Sequence, residues 1–273
     1  RDEVRLFYRT VFAAASQVPS GFSGNVAACS AGDTSPAYKA ATADRINWFR
    51  AMAGVPANVQ FDATFSAKAQ QAALMMAANR TLNHFPPTTF ACYTANGAEA
   101  AGKSNLDQGR SGPNSIAGGY MHDFGSTNSA VGHRRWVLYP NTQFMGTGDV
   151  DTVEGGQTLR FNALWVQDAN IFGSRPATRD AYVAWPPRGY VPYTVVYPRW
   201  SFSFPQADFS QATVAMTENG ATISARKEPV ANGFGDNTLV WLPGNYSDGM
   251  TWARPGGDTV YTVTISNVLV GGQ

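Results

Sequence analysis

The feature that most constrains this chain is a change of hydrophobic period near residue 175. Upstream, apolar residues recur at helical spacing in Ala- and Met-rich segments; downstream they alternate with polar residues between turns and prolines. Arg1 to Val18 places Val4, Phe7, Tyr8, Val11, Phe12 and Ala15 on one helical face. Residues 19–40, rich in Ser, Gly and Pro, read as a loop containing Cys29. Ala43 to Met52 carries Ile46, Phe49 and Met52 at helical spacing, and Gly54 with Pro56 marks its end. Asp62 is expected to cap a longer helix in which Phe65, Ala69, Ala72, Ala73 and Met76 share a face, ending before Pro86 and Pro87. A short helix is expected around Ile116 to Asp123.

The second regime reads as strands. Trp200, Phe202 and Phe204 alternate with Ser201 and Ser203. Val214 and Met216, Asn219-Gly220, then Ala221, Ile223 and Ala225 spell a hairpin around a type I′ turn. Asn237 to Leu242 and Asp258 to Asn267 supply two more strands, the last with Tyr261, Val263 and Ile265 on one face. The predicted organisation is an N-terminal helix and loop over 1–42, a helix-rich domain over 43–175 and a small antiparallel β-sandwich over 176–273. Pro176, Pro186, Pro187 and Pro192 place the linker between Gly173 and Pro192.

Composition excludes several roles. The 273 residues carry 20 basic and 19 acidic side chains, a net charge of +1. A phosphate-backbone binder or a polybasic membrane anchor needs a clustered Lys/Arg surplus, which this balance does not provide. No apolar run approaches the ~20 residues needed to span a bilayer. The chain begins at Arg1 with no Met and no charged-then-apolar leader, as expected for an exported chain whose signal peptide has been removed. In an oxidising compartment Cys29 and Cys92 are expected to pair; in a reducing one they would be two separate buried thiols.

Gly97-Ala98-Glu99-Ala100-Ala101-Gly102-Lys103-Ser104 formally matches the phosphate-cradling loop G-x-x-x-x-G-K-[ST]. That loop requires a buried strand before it and a helix after it. Here Thr88 to Asn96 is polar, and Gly109, Gly112 and Pro113 follow closely, so no nucleotide is expected. Asp149, Asp151 and Glu154 miss calcium-loop spacing and read as a solvated turn.

The three histidines are the remaining chemistry. His84 follows the long helix in Asn83-His84-Phe85-Pro86, His122 lies between Met121 and Asp123, and His133 sits in Gly132-His133-Arg134-Arg135-Trp136. Taken with Asn47 to Arg50, Lys103-Ser104-Asn105-Leu106, Tyr120 to Asp123 and Gly146-Thr147-Gly148, they occur in an order that resembles the CAP superfamily (cysteine-rich secretory proteins, antigen 5 and pathogenesis-related proteins, also called SCP-like). The resemblance spans roughly 43–172 and is nearest the secreted bacterial branch. It implies an α+β chain, with an α-β-α sandwich CAP domain before the β-sandwich.

The resemblance also implies a cleft with two histidines and two acids that in some members holds zinc or another divalent cation. His84 and His133 match the histidines, and Asp123 the second acid, because Tyr120-x-x-Asp123 parallels aromatic-x-x-Glu. Ser104 stands where the family's Glu-Asn-Leu has its Glu, with Asn105 and Leu106 matching the rest. Glu99, five positions earlier, could replace the lost carboxylate if the loop folds back. Two neutral imidazoles could ligate Zn²⁺, with Asp123 as a ligand or as a partner for one histidine's other ring N–H.

Three functions are weighed. The first is a secreted, monomeric binding protein whose cleft, flanked by Arg134, Trp136 and Tyr139, takes a metal or a lipid-like or peptide ligand. The second is an extracellular hydrolase of peptides, esters or glycans, with Ser104 or metal-bound water as nucleophile and His84, His133 and Asp123 assisting. The third is attachment to a surface or polysaccharide through Trp200, Trp241 and Trp252.

Overall fold

In the computed structural model, residues 1–272 are described. The chain opens with α1 (Asp2–Phe7), which continues as a wider i→i+5 turn over Tyr8–Ala13. Phe7, Tyr8 and Phe12 pack their rings on Trp48, and the Tyr8 hydroxyl lies 2.9 Å from Thr194 Oγ1. The N-terminal segment therefore bridges the first helix of the core and the chain beyond residue 190.

Helix α2 (Pro36–Ala53) starts seven residues before the expected Ala43, inside the stretch read as loop. Its start is local chemistry: the Ser35 side chain accepts from the Tyr38 N–H, and Pro36 occupies a first-turn position where no N–H is needed. Gly54 at φ +75° ends it. After β1 (Gln60–Phe61) comes α3 (Ala63–Asn79), which Asp62 caps as expected, with Oδ1 2.8 Å from the Phe65 nitrogen. It is followed by α4 (Ala95–Lys103), β2 (Ser104–Gln108), the single turn α5 (Gly112–Asn114), and a π-helical turn over Ser115–Met121. Then come α6 (Gly132–Leu138), β3 (Phe144–Glu154) and β4 (Gln157–Trp165).

The first sheet has the order β1-β3-β4-β2, with β1 parallel to β3 and the other pairs antiparallel. Its two faces differ. One packs against α3 and α4 through Leu106, Val150, Phe161, Ala163 and Trp165, opposite Ala69, Ala72 and Ala73. Contact here is close: a Cβ on Gly148 would stand 2.1 Å from the α3 backbone, and one on Gly146 2.5 Å. Only glycine allows that approach. Opposite cross-strand neighbours share a face, so Asn105, Asp107, Thr147, Asp149, Asn162 and Leu164 line the other side, toward α2, α6 and the π turn. Asp149 is fully buried there in β3, so the expected solvated turn over Asp149, Asp151 and Glu154 is corrected to a strand, whose inward positions are lined by polar partners.

The second regime contains β5 (Val183–Trp185), β6 (Trp200–Ser203), β7 (Ala207–Asp208), β8 (Thr213–Glu218), β9 (Ala221–Ile223), β10 (Ala225–Lys227), β11 (Thr238–Pro243), β12 (Tyr261–Ser266) and β13 (Leu269–Val270). The hairpin β8-β9 turns at Asn219 and Gly220, both with positive φ, as a type I′ turn demands. A four-stranded sheet β10-β11-β6-β5 faces a three-stranded sheet β12-β8-β9 across a core of Trp200, Met216, Leu239, Trp241 and Trp252. These three tryptophans are buried, which removes them as polymer contacts.

The four-stranded sheet is used on both sides. Phe202, paired with Leu239 and Ala184, faces the sandwich core; Ser201, paired with Val240 and Trp185, faces the first domain. This second contact buries Ser201. Trp185, from the proline-rich stretch expected as linker, is fully buried with its ring 5.0 Å from that of Phe49. The stretch is thus packed into the core beside α2. Cys29 and Cys92 form a disulfide, tying the 19–35 loop over the α3–α4 face.

Candidate functional site

The polar face of the first sheet builds the site. Asn105 and Asp107 stand two residues apart on β2 and share that face. The Asn105 side-chain amide donates to the His133 carbonyl at 3.0 Å, fixing the first turn of α6 against the strand. The Tyr120 hydroxyl, at the end of the π turn, lies 2.5 Å from Asn162 Oδ1 and 3.0 Å from the Asn105 carbonyl. Its ring sits 5.5 Å from the His133 imidazole.

Asp123 is the organising residue. It is buried, with φ +52°, a left-handed conformation that Asp tolerates better than most residues. Its Oδ2 accepts from the backbone N–H groups of His133 (2.9 Å) and Arg134 (3.3 Å), capping α6, whose own N-cap residue Val131 has no capping side chain. Its Oδ1 lies 2.8 Å from His133 Nδ1. A carboxylate accepts, so Nδ1 carries the proton and the neutral ring leaves its Nε2 lone pair free. Burial disfavours the protonated His133, but the hydrogen bond and charge of Asp123, with Asp107 behind it, outweigh burial and hold the pKa above the ordinary histidine value.

His84 is exposed and follows α3; its Nδ1 lies 2.8 Å from the Ala101 carbonyl on α4. A carbonyl can only accept, so this ring too presents a free Nε2 when neutral. The His84 imidazole is thus anchored to the Ala101 carbonyl and the His133 imidazole to Asp123, while Asn105 holds the His133 backbone.

Several predicted residues stand elsewhere. Ser104 faces the α3 side with Leu106, and its buried Oγ has no hydrogen-bond partner. No Ser–His–Asp relay is assembled, because alternation along β2 turns Ser104 away from the Asn105 face. The Glu99 carboxylate is held by Lys68 at 2.6 Å and Lys103 at 2.9 Å, so it does not replace the missing acid. The run 97–103 is the body of helix α4, capped by Thr94, and not a phosphate loop. Arg134 turns its guanidinium inward, to the Met121, His122 and Arg199 carbonyls, away from any cleft.

Asp107 was missed by sequence reasoning. It is buried, its Oδ2 lacks a partner, and Oδ1 lies 3.4 Å from Arg110. Burial raises its pKa against the pull of Arg110. The signal for it was present: once Asn105 is placed on a strand, the residue two positions on shares its face. Among the described residues, no three His, Cys, Asp or Glu side chains come together so as to hold a metal ion.

Helices on both faces of a mixed sheet, with an Asp-oriented histidine at the sheet's polar face, define an α-β-α domain of a recognisable kind. Residues 43–168 match the family model of the cysteine-rich secretory protein family, CAP, and this part of the chain is a CAP domain. No curated protein matches the chain.

Proposed function

We propose that the CAP domain acts outside the cell as a binding domain, presenting the Nε2 atoms of His133 and His84 to a small ligand of peptide, polysaccharide or lipid-like chemistry. The observation that carries this reading is the commitment of both Nδ1 atoms to protein acceptors. Each neutral ring is thereby left with one uncommitted acceptor, Nε2, in an orientation set by the Nδ1 contact. The disulfide fits an oxidising compartment, and no helix among the described residues is long and apolar enough to cross a membrane.

The donor set suits a divalent cation only as a weakly held guest. His84 and His133 would supply two imidazole nitrogens, fewer than the three protein ligands of a catalytic zinc site, with Asp123 supporting His133 through its other nitrogen. Such a cation would offer positive charge to an anionic ligand group.

Zinc is a convenient probe of the two nitrogens. Calorimetric titration should show binding to the wild type that His84→Ala/His133→Ala abolishes with the fold intact. Because zinc needs neutral imidazole and His133 has a raised pKa, affinity should already fall as pH drops from neutral. Equal affinity in the double variant, or constant affinity down to pH 5, would sink this reading.

A further inference from the structure

We propose that the segments flanking the C-terminal sheet are a working part of the CAP site: Arg199 and Asp248 hold the 121–125 turn in the shape that aims Asp123 at His133. This deepens the binding reading, since it concerns the same histidine, yet its test needs no ligand.

Two guanidiniums, one from each part of the chain, cross at this turn. Arg134 of α6 donates to the carbonyls of Met121 (2.8 Å) and His122 (3.3 Å), then reaches over to the Arg199 carbonyl (2.7 Å) and Ser201 Oγ (3.1 Å). Arg199, just before β6, returns the contact by donating through Nη1 to the carbonyls of Asp123 and Gly125, both at 3.0 Å. Four carbonyls of one five-residue turn are thus satisfied by two side chains whose backbones belong to different sheets or helices. Asp248, in the loop after β11, completes the grip. Its Oδ2 accepts from the Gly125 N–H at 2.8 Å and pairs with Arg199 at 3.3 Å, while its carbonyl lies 3.1 Å from His122 Nε2. The His122 ring stacks on Tyr197, 5.1 Å away, from the same C-terminal segment.

The turn needs such a grip. Asp123 adopts a left-handed conformation and is followed by Gly125 at φ +102°, so its own sequence does not select this shape strongly. Without Arg199 the buried Asp123 carbonyl and the half-buried Gly125 carbonyl lose the donor that defines their direction. The Asp123 carboxylate moves with its backbone, and with it the contact to His133 Nδ1. Arg199 and Asp248 are therefore positioning residues, which act on His133 only through Asp123.

A spectroscopic signature separates positioning from general stability. In the full chain the His133 Nδ1–H, held against Asp123, should appear as a protected imidazole proton resonance. Arg199→Gln and Asp248→Ala should each speed its exchange with water by about tenfold or more, the mark of a local opening, while the far-UV spectrum stays unchanged. Arg199→Lys should fall between. Glu228→Gln removes the other ion partner of Arg199, 3.0 Å away, without touching the turn, and should leave the resonance as in the wild type. Asp248 is a partly exposed loop residue, so its variant keeps the test available should Arg199→Gln misfold. Unchanged exchange in folded Asp248→Ala would overturn the proposal, as would an equal acceleration in Glu228→Gln. Absence of zinc binding by the wild type, with the exchange differences among the variants as expected, would instead count against the binding reading alone.

Discussion

The two faces of the CAP sheet solve opposite problems with the same strands. On the α3 side, alanines meet Gly146 and Gly148, and helix and sheet approach until no Cβ fits between them. On the other side Asp107, Asp149, Asn162, Tyr120 and Asn105 are buried, and Tyr120, Asn105, Asn162 and Asp149 hold one another by hydrogen bonds. The first face gains stability from contact area and dispersion. The second keeps polar atoms away from water, which is tolerable only while nearly every one has a partner. The difference teaches where chemistry can be placed: a face already obliged to satisfy buried polar groups is where one more carboxylate can orient an imidazole.

Four perturbations probe this contrast, beginning with the largest. Replacing Cys29 and Cys92 by Ser releases a link between residues 63 apart that holds the loop over the α3 side. Chain-entropy reasoning puts the loss at about 4 kcal/mol, to be read from the urea midpoint. Gly148→Ala inserts a methyl 2.1 Å from the α3 backbone. The same measurement should show a loss of about 3 kcal/mol, at the upper end for overpacking. A wild-type midpoint would mean that helix and sheet separate easily, and the close-packed description of that face would fail.

The polar face is tested through Asp149, whose pKa burial raises to about 6, against hydrogen bonds from Gly112, Asn162 and Thr147 that pull it down. The sign follows from linkage. A carboxyl whose pKa is higher folded than unfolded favours folding when protonated, and that contribution is lost as pH rises from about 4 through about 6. A displacement of about two units, at about 1.4 kcal/mol each, makes it about 3 kcal/mol at most. The stability difference between wild type and Asp149→Asn should therefore shift against the wild type over this window. A difference independent of pH would show that the carboxyl is not confined as described. The smallest effect belongs to a helix start: Asp62→Ala removes the cap of α3 and should cost about 1 kcal/mol by thermal unfolding.

Local chemistry was legible from the sequence, and long-range chemistry was not. Asp62 and Asn219-Gly220 announce a cap and a turn through residues in contact with their own neighbours, and both stand where expected. The order of His84, Asp123 and His133 pointed to the CAP domain that residues 43–168 match. Ser35-Pro36 is an equally local start signal, but the Ser-, Gly- and Pro-rich stretch before it masked the first two turns of α2. Ser104 was misjudged because motif alignment fixes position and not facing, and a strand reverses facing at every residue. Arg199 and Asp248 had no signal at all, because Gly125, a partner of both, lies 74 and 123 residues away from them in the chain.

Asp123 does two jobs with one carboxylate, since one oxygen closes the start of α6 and the other orients His133. Selection cannot trade these separately. A substitution that alters the histidine's surroundings at this position also loosens the helix that carries it, so loss of binding and loss of folding would arrive together. Gradual change in binding is left to positions that reach His133 indirectly, and in this chain those lie as much in the segments beside the C-terminal sheet as in the CAP domain itself.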